Sequence, residues 1–258
     1  MTKSKISYLR DGYTWNPVER KGGGYACTPV SIGCDHCWAS ELNNRFNGGR
    51  FSKSPSKINF ELNEKVLLAP TTVKKPSIFG VQFRGDLFHE DVPFKYIQRM
   101  ILETMMDCRR HTFLILTKRP ERMGEFLKEV NAPNVWLGVS VENEDQIRRA
   151  YELAIIPAAH RWLSLEPLLG PIDLRPLFLL QQIEWVVVGC ESGPGHRPMN
   201  LDWVRSLRDQ CQAAKVPFYF KQAYERHVHT VAGLKVTYRD KLIQTPALDG
   251  VHWRQRPW

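Results

Sequence analysis

Three cysteines fall within one short run, Cys27-Thr-Pro-Val-Ser-Ile-Gly-Cys34-Asp-His-Cys37-Trp38-Ala39. This C-x6-C-x2-C spacing puts three soft thiolates on one loop, a donor set that suits zinc or an iron–sulfur cluster. Three thiolates cannot close a structural zinc site that takes four protein ligands. His36 is the nearest fourth candidate, but it sits between two cysteines, where neighbouring side chains diverge. Three thiolates do suit a [4Fe–4S] cluster that leaves one iron free for another molecule. Zinc stays open as the alternative. Arg20 and Lys21 would help to keep thiolates ionised, and Gly33 would let the loop bend. The other cysteines, Cys108, Cys190 and Cys211, are scattered and read as core residues, and clustering without an obvious disulfide pattern fits a reducing compartment.

The cysteine loop belongs to a repeating pattern of short apolar run, polar end and amphipathic stretch. Strands are expected at 13–16, 78–84, 111–117, 135–141, 161–165, 183–190 and 216–221. Helices are expected at 38–46, 93–108, 120–130, 143–154 (with Asn143 as N-cap) and 201–214, and 172–182 is expected to be partly helical. Continuous apolar strands alternating with helices imply parallel strands covered by helices. The fold class read from this is α/β, a single β/α barrel, full or partial, over residues 1–222, with an open doubly wound sheet as the alternative. Residues 47–77 read as a long excursion. Residues 223–258 read as an extension packed on the barrel through Tyr238, Trp253 and Trp258.

In such folds the chemistry sits at the C-terminal ends of the strands. Polar residues collect there: Arg84 and Asp86, Thr117 to Arg119, Ser140 and Glu142, Ser164 and Glu166, Glu191 and Ser192, Lys221 and Gln222. They imply one shared polar pocket. The plainer reading of each acid is a salt bridge between adjacent loops.

The chain has 258 residues, 43% hydrophobic and 24% charged, enough apolar material for a sizeable core and too much for a disordered chain. No apolar run approaches the ~20 residues of a membrane span, and residues 1–5 lack the apolar stretch of a signal peptide, so a cytoplasmic location is expected. The net charge of +9 points to a polyanionic partner, nucleic acid first. Arg45, Arg50, Lys53 and Lys57 would meet phosphates, and the aromatic residues of the tail would stack on bases.

A three-cysteine loop leading into the first helix of a β/α barrel resembles the radical S-adenosylmethionine superfamily, whose usual spacing is C-x3-C-x2-C. The ending Cys34-x-x-Cys37-Trp-Ala is similar to the corresponding segment of spore photoproduct lyases. Further runs resemble a phage-associated and bacterial radical-SAM-like family with the longer cysteine spacing: Trp15-Asn-Pro, Gly85-Asp-Leu-Phe-His-Glu-Asp-Val-Pro93, Leu116-Thr-Lys-Arg-Pro-Glu-Arg-Met123, Val135-Trp-Leu-Gly-Val-Ser-Val-Glu-Asn143, Leu165-Glu-Pro-Leu-Leu-Gly-Pro171 and Glu191-Ser-Gly…Arg197-Pro-Met199. The chain has Cys190 where that family usually shows Gly.

The resemblance implies that Cys27, Cys34 and Cys37 bind a [4Fe–4S] cluster whose free iron chelates S-adenosylmethionine, and that a reduced partner such as flavodoxin or ferredoxin supplies the electron. It implies a 5′-deoxyadenosyl radical and, by closeness to spore photoproduct lyase, repair of a UV-induced thymine lesion in DNA. On this reading Asp86, Glu166 and Glu191 would pair with the cofactor's ammonium. Ser140 and Glu142 would contact its ribose or amino group, Lys118 or Arg119 its carboxylate or a substrate phosphate, and Trp38 its adenine. Cys190, at a strand end, would return a hydrogen atom to the product; the alternative is a small buried core residue. Two other readings stay open: a radical enzyme acting on a small molecule, nucleotide or peptide, and a non-catalytic cluster- or zinc-bearing nucleic-acid binder.

Overall fold

Runs rich in β-branched and aromatic residues form the strands, and most are buried on both faces, as parallel strands between two layers require. The computed structural model describes every residue except 47, 54, 55, 128–131, 194, 232 and 233, and the side chains of all described residues except those between 226 and 239. One nine-stranded sheet runs in chain order: β1 (Thr2–Lys3), β2 (Tyr13–Trp15), β3 (Ile78–Val81), β4 (Thr112–Thr117), β5 (Val135–Ser140), β6 (His160–Leu165), β7 (Trp185–Gly189), β8 (Phe218–Val231) and β9 (Leu234–Gln244). Neighbours from β2 to β8 pair in parallel. β1 and β9 are antiparallel edges.

The longer helices are α1 (Trp38–Arg45), α2 (Phe94–Arg99, continued by a π-helical stretch, Met100–Met105), α3 (Pro120–Phe126), α4 (Arg148–Ile155) and α5 (Leu201–Ala213), and a single helical turn, Arg175–Phe178, lies within the expected 172–182. Their apolar sides (Ile97, Met100, Met123, Leu153, Leu207) join Phe113, Ile115, Leu137, Val139, Leu163, Val186 and Phe218 in one large core. The alternate residues on the same strands face the other way, since successive side chains on a strand point to opposite faces. Leu114, Trp136, Trp162, Trp185, Val187 and Tyr219 form a second cluster there with Tyr8 and Leu9.

That second cluster shows that the sheet curves. The turn Ser7–Leu9 touches both β3 and β8. In a flat sheet those two strands would stand about 24 Å apart, at ~4.8 Å per strand, beyond the reach of three residues. The Tyr8 ring lies 5.9, 5.7 and 6.2 Å from those of Trp162, Trp185 and Tyr219. Among the described residues β1 and β9 do not pair with each other, so hydrogen bonding does not close the sheet.

Several expectations change. Asn143 makes no capping hydrogen bond. It precedes a 3-10 turn, Glu144–Gln146, and its Nδ2 donates to Asp145 instead. The excursion contains a strand, Phe60–Leu62, paired antiparallel with Val18–Arg20, and a helical turn, Glu64–Leu67. The boundary placed at residue 222 falls inside β8, which runs past the expected 221 and returns as β9. The length of these strands was hidden because residues 223–244 carry no apolar alternation comparable to the earlier runs. Trp258 packs 5.2 Å from Trp136 and 5.1 Å from Trp185, and Trp253 packs 6.2 Å from Phe218. These contacts lie at or near the N-terminal ends of the strands, so neither ring faces the mouth where base stacking was expected. The side chain of Tyr238 lies outside the described residues.

Among the described residues, no helix is long and apolar enough to cross a membrane.

Candidate functional site

The C-terminal ends of the parallel strands open into a cavity of about 730 Å³, within the size range of small-molecule sites. Cys27, Cys34, Cys37, Trp38, Asp86, Lys118, Arg119, Ser140, Ser164, Glu166, Cys190, Glu191 and Lys221 all line it. The topology brings them together: each parallel strand delivers its last inward-facing residues to the same end.

Glu142 is the exception among the expected residues. It is fully buried beneath the cysteine loop and does not reach the cavity wall. Its carboxylate accepts from Ser31 Oγ (2.8 Å) and Arg149 Nη1 (2.8 Å), with Lys118 Nζ 3.3 Å away. It therefore ties the loop to β5 and α4, and contact with a ligand's ribose or amino group is not available to it. A Cβ on Gly33 would come within 2.4 Å of the Glu142 side chain. Gly33 is thus required for close approach, whereas loop bending was the expected reason.

Asp86 is buried and its carboxylate accepts four hydrogen bonds: from Phe88 N (3.0 Å), Thr117 Oγ1 (2.6 Å), Lys118 N (3.1 Å) and Arg119 Nη1 (3.1 Å). Four is about what a carboxylate can take, so in this arrangement Asp86 positions the β4 end and has no acceptor site left for a ligand ammonium. Glu191 accepts from His36 Nδ1 (3.0 Å), Arg197 N (2.9 Å), Arg197 Nε (3.0 Å) and Arg197 Nη2. Burial works to raise the Glu191 carboxyl, but the hydrogen bonds from Arg197 outweigh it and hold it below the usual carboxylate range. His36 is therefore directed to Glu191.

The thiols lie among cations, though not those expected. Arg119 Nη1 stands 3.8 Å from Cys27 Sγ, and Lys118 acts on Cys37. Arg20 instead donates to Gly23 O. Burial, helped by Asp86, pushes the Cys27 thiol up to about 12 against the pull of Arg119, and burial also raises Cys37. Burial disfavours the Lys118 ammonium, yet the Glu142 carboxylate, followed by Cys34 and Cys37 in their thiolate form, outweighs it and raises its pKa. Burial thus favours the thiol form of Cys27 and Cys37, and bound metal would displace their protons. Among the described residues no three His, Cys, Asp or Glu side chains are grouped so as to hold a metal ion. A cubane takes its thiolates at separate irons, which spaces them more widely than the ligands of one ion.

His89, fully buried, meets the cysteine loop at Thr28. Its Nδ1 accepts from Asp91 N (3.1 Å), which assigns the proton to Nε2, 2.8 Å from Thr28 Oγ1. Burial, then Arg119, holds His89 below the ordinary histidine range. Arg119 also donates to Thr28 O (3.0 Å), fixing the same limb. Ser31, His89, Arg149 and Arg197 are the residues that sequence reasoning missed. His89 and Arg197 lie within the quoted motifs, while nothing in the local pattern marks Ser31 or Arg149.

Cys190 is buried on the cavity wall. Burial, then Glu166, pushes its thiol up to about 12. Of the basic residues after the cluster loop, Arg50 pairs with Glu41 (2.5 Å) and Lys53 with Asp35 (3.0 Å). Arg45 and Arg50 line a second groove of about 460 Å³ with His36 and Trp38.

The family described as "Protein of unknown function (DUF5131)" matches residues 3–257, and the chain belongs to it. No curated protein and no solved structure matches the chain.

Proposed function

We propose that this DUF5131 protein is an iron–sulfur enzyme of the radical S-adenosylmethionine type, built on a partial β/α barrel. One observation carries the reading: the three thiols of the C-x6-C-x2-C loop line a single cavity at the C-terminal mouth of seven parallel strands. Cys27, Cys34 and Cys37 would hold the cluster. When bound, the cluster would supply the electron that cleaves the sulfonium carbon–sulfur bond of S-adenosylmethionine, generating a 5′-deoxyadenosyl radical.

The chain's own residues do the positioning. Asp86 and Glu142 hold the loop through Arg119, Lys118, Ser31 and Arg149. Glu191 and Arg197 clamp its other side, where Arg197 Nη2 also donates to Ile32 O (2.8 Å). Such fixed pairs orient ligands without reorganising during reaction. Trp38, half exposed beside Cys37, and Ser140 on β5 offer an aromatic face and a hydroxyl to a nucleoside.

The more specific form of the proposal is repair of a thymine photoproduct in DNA. The +9 charge supports it, together with the groove of Arg45, Arg50 and Trp38 that adjoins the cavity.

Anaerobic purification with iron and sulfide analysis, followed by dithionite reduction with S-adenosylmethionine, tests the reading. Near four irons per chain and release of 5′-deoxyadenosine are expected, both lost in C34A. A chain that binds stoichiometric zinc and releases no deoxyadenosine overturns it. UV-irradiated DNA with product analysis tests the substrate: thymine restoration is expected, and deoxyadenosine release without any change in the DNA would shift the reading to a small-molecule substrate.

A further inference from the structure

The three thiols of the loop do not share the same surroundings. Cys37 is the N-cap of α1, and the backbone N–H groups of Ser40 and Ala39 favour its thiolate. Cys34 has Ser31 Oγ 4.0 Å away, but that hydroxyl already donates to Glu142 (2.8 Å). Cys27 lies at the far end of the six-residue gap. Of the three, only Cys27 receives a hydrogen bond from a charged side chain among the described residues, from Arg119 Nη1 at 3.8 Å.

Other residues hold that donor in place. Arg119 is buried, and four of its N–H groups are assigned: Nε to Glu90 (3.0 Å), Nη1 to Asp86 (3.1 Å) and to Cys27, and Nη2 to Thr28 O (3.0 Å). A guanidinium carries five, so one is left. A bidentate grip on a ligand carboxylate or phosphate needs two. The planar group is fixed on three sides and cannot turn away from the sulfur. Its two carboxylate partners do not cancel it there. Glu90 is more than half exposed, where water screens it. Asp86 spreads its charge over four donors.

We infer that Arg119 is a positioning residue that acts through Cys27 to raise the reduction potential of the bound cluster. Hydrogen bonds to the ligand sulfurs and nearby charge are among the factors that set such potentials. In the reduction, an oxidised [4Fe–4S]2+ cluster takes one electron from the donor and becomes the 1+ form; no bond forms or breaks. The reduced form carries one more negative charge, so a cationic N–H directed at a ligand sulfur favours it. The same guanidinium fastens the limb that carries Cys27, through Thr28 O. One side chain therefore places the most distant thiol and makes its cluster easier to reduce.

This inference rests on Cys27, Cys34 and Cys37 holding an iron–sulfur cluster. The test is a redox titration of the anaerobically reconstituted full-length protein with dithionite and mediators, read by EPR of the reduced cluster. It contains no S-adenosylmethionine, so it reports the cluster alone. The parent chain is compared with R119Q, R119K and T28V. T28V removes the hydroxyl that meets His89 Nε2 at 2.8 Å, and so loosens the same limb with no change of charge. R119Q should move the midpoint to more negative potential, with iron still near that of the parent chain. R119K should move it the same way by less, because an ammonium drawn to Asp86 keeps the charge nearby and gives the sulfur no fixed N–H. T28V should leave the midpoint in place, as a merely structural role for the limb would not. Where R119Q retains no cluster, R119K decides. An unchanged midpoint in the arginine variants, or an equal shift in T28V, overturns the inference and leaves the iron–sulfur reading. The expected shifts in a protein that releases no deoxyadenosine would keep this inference and remove the radical reading. A parent chain that binds zinc in place of iron overturns both.

Discussion

The same inward-facing rows of strand residues build two unlike regions. Toward the N-terminal ends, Trp162, Trp185, Tyr219 and Tyr8 pack in tilted and edge-to-face contacts with ring centres 5.5 to 6.2 Å apart and essentially no exposure. Toward the C-terminal ends, the rows finish in Lys118, Ser140, Ser164, Glu166 and Lys221. One region is stabilised by burial of aromatic surface and needs no ligand. The other holds charge in a partly dry mouth, where every polar group must find a partner. The floor bears the stability of the curved sheet, and the mouth spends stability on positioning a loop.

If so, the floor should be the more fragile of the two to truncation. Trp185→Ala should destabilise the protein by about 3–5 kcal/mol in urea unfolding, because Trp185 contacts Tyr8, Trp162, Tyr219 and Trp258. A loss within experimental error of a surface change would show that the floor does not bear the stability of the sheet. In the mouth, Arg149→Met should cost roughly 3 kcal/mol, since it leaves the buried Glu142 carboxylate without its 2.8 Å partner. The double change with Glu142→Leu should recover part of that loss, because the unpaired charge goes with it. A further loss in the double variant would mean that Glu142 acts through Ser31 and Lys118 instead.

A smaller effect is expected at Gly33. Gly33→Ala should cost about 1–3 kcal/mol and should speed iodoacetamide labelling of Cys34, since the loop must lift off Glu142. Tryptophan fluorescence of the floor should stay unchanged. Unaltered labelling would show that the loop is held elsewhere.

The smallest effect is a pH dependence far from the mouth. His111 is buried, its Nδ1 accepting from Ser77 N (3.2 Å) and its Nε2 donating to Pro70 O (3.2 Å). Burial lowers its pKa from 6.5, so below that value the unfolded chain binds more protons than the folded one. The stability linked to neutral His111 is therefore present above 6.5 and is lost as pH falls through its lower folded-state value. Urea unfolding between about pH 7.5 and 5.5 should show this decline, and His111→Gln should flatten it.

Much of the fold was legible because apolar periodicity is a local property. The strands at 78–81, 112–117, 135–140, 160–165 and 185–189 lie within or one residue beyond the runs that predicted them. The hairpin of β8 and β9 was not legible, since its length depends on pairing between strands and not on a buried face of its own. In the site, the cysteines and strand-end acids were visible as residue types at polar ends of apolar runs. Which cations and donors occupy those acids was not visible.

From its own order of residues, the chain determined seven parallel strands, a three-thiol loop between the first strand and the first helix, and an excess of positive charge. Each of these follows from neighbours within a few positions. Only the tertiary structure decided that Gly33 must be small to seat against Glu142, that Asp86 and Glu191 are saturated by Arg119 and Arg197, and that Glu166 meets Lys221. Those outcomes depend on side chains brought together from distant strands by the curvature of the sheet, and hydrogen-bond capacity is shared out only after that approach has been made.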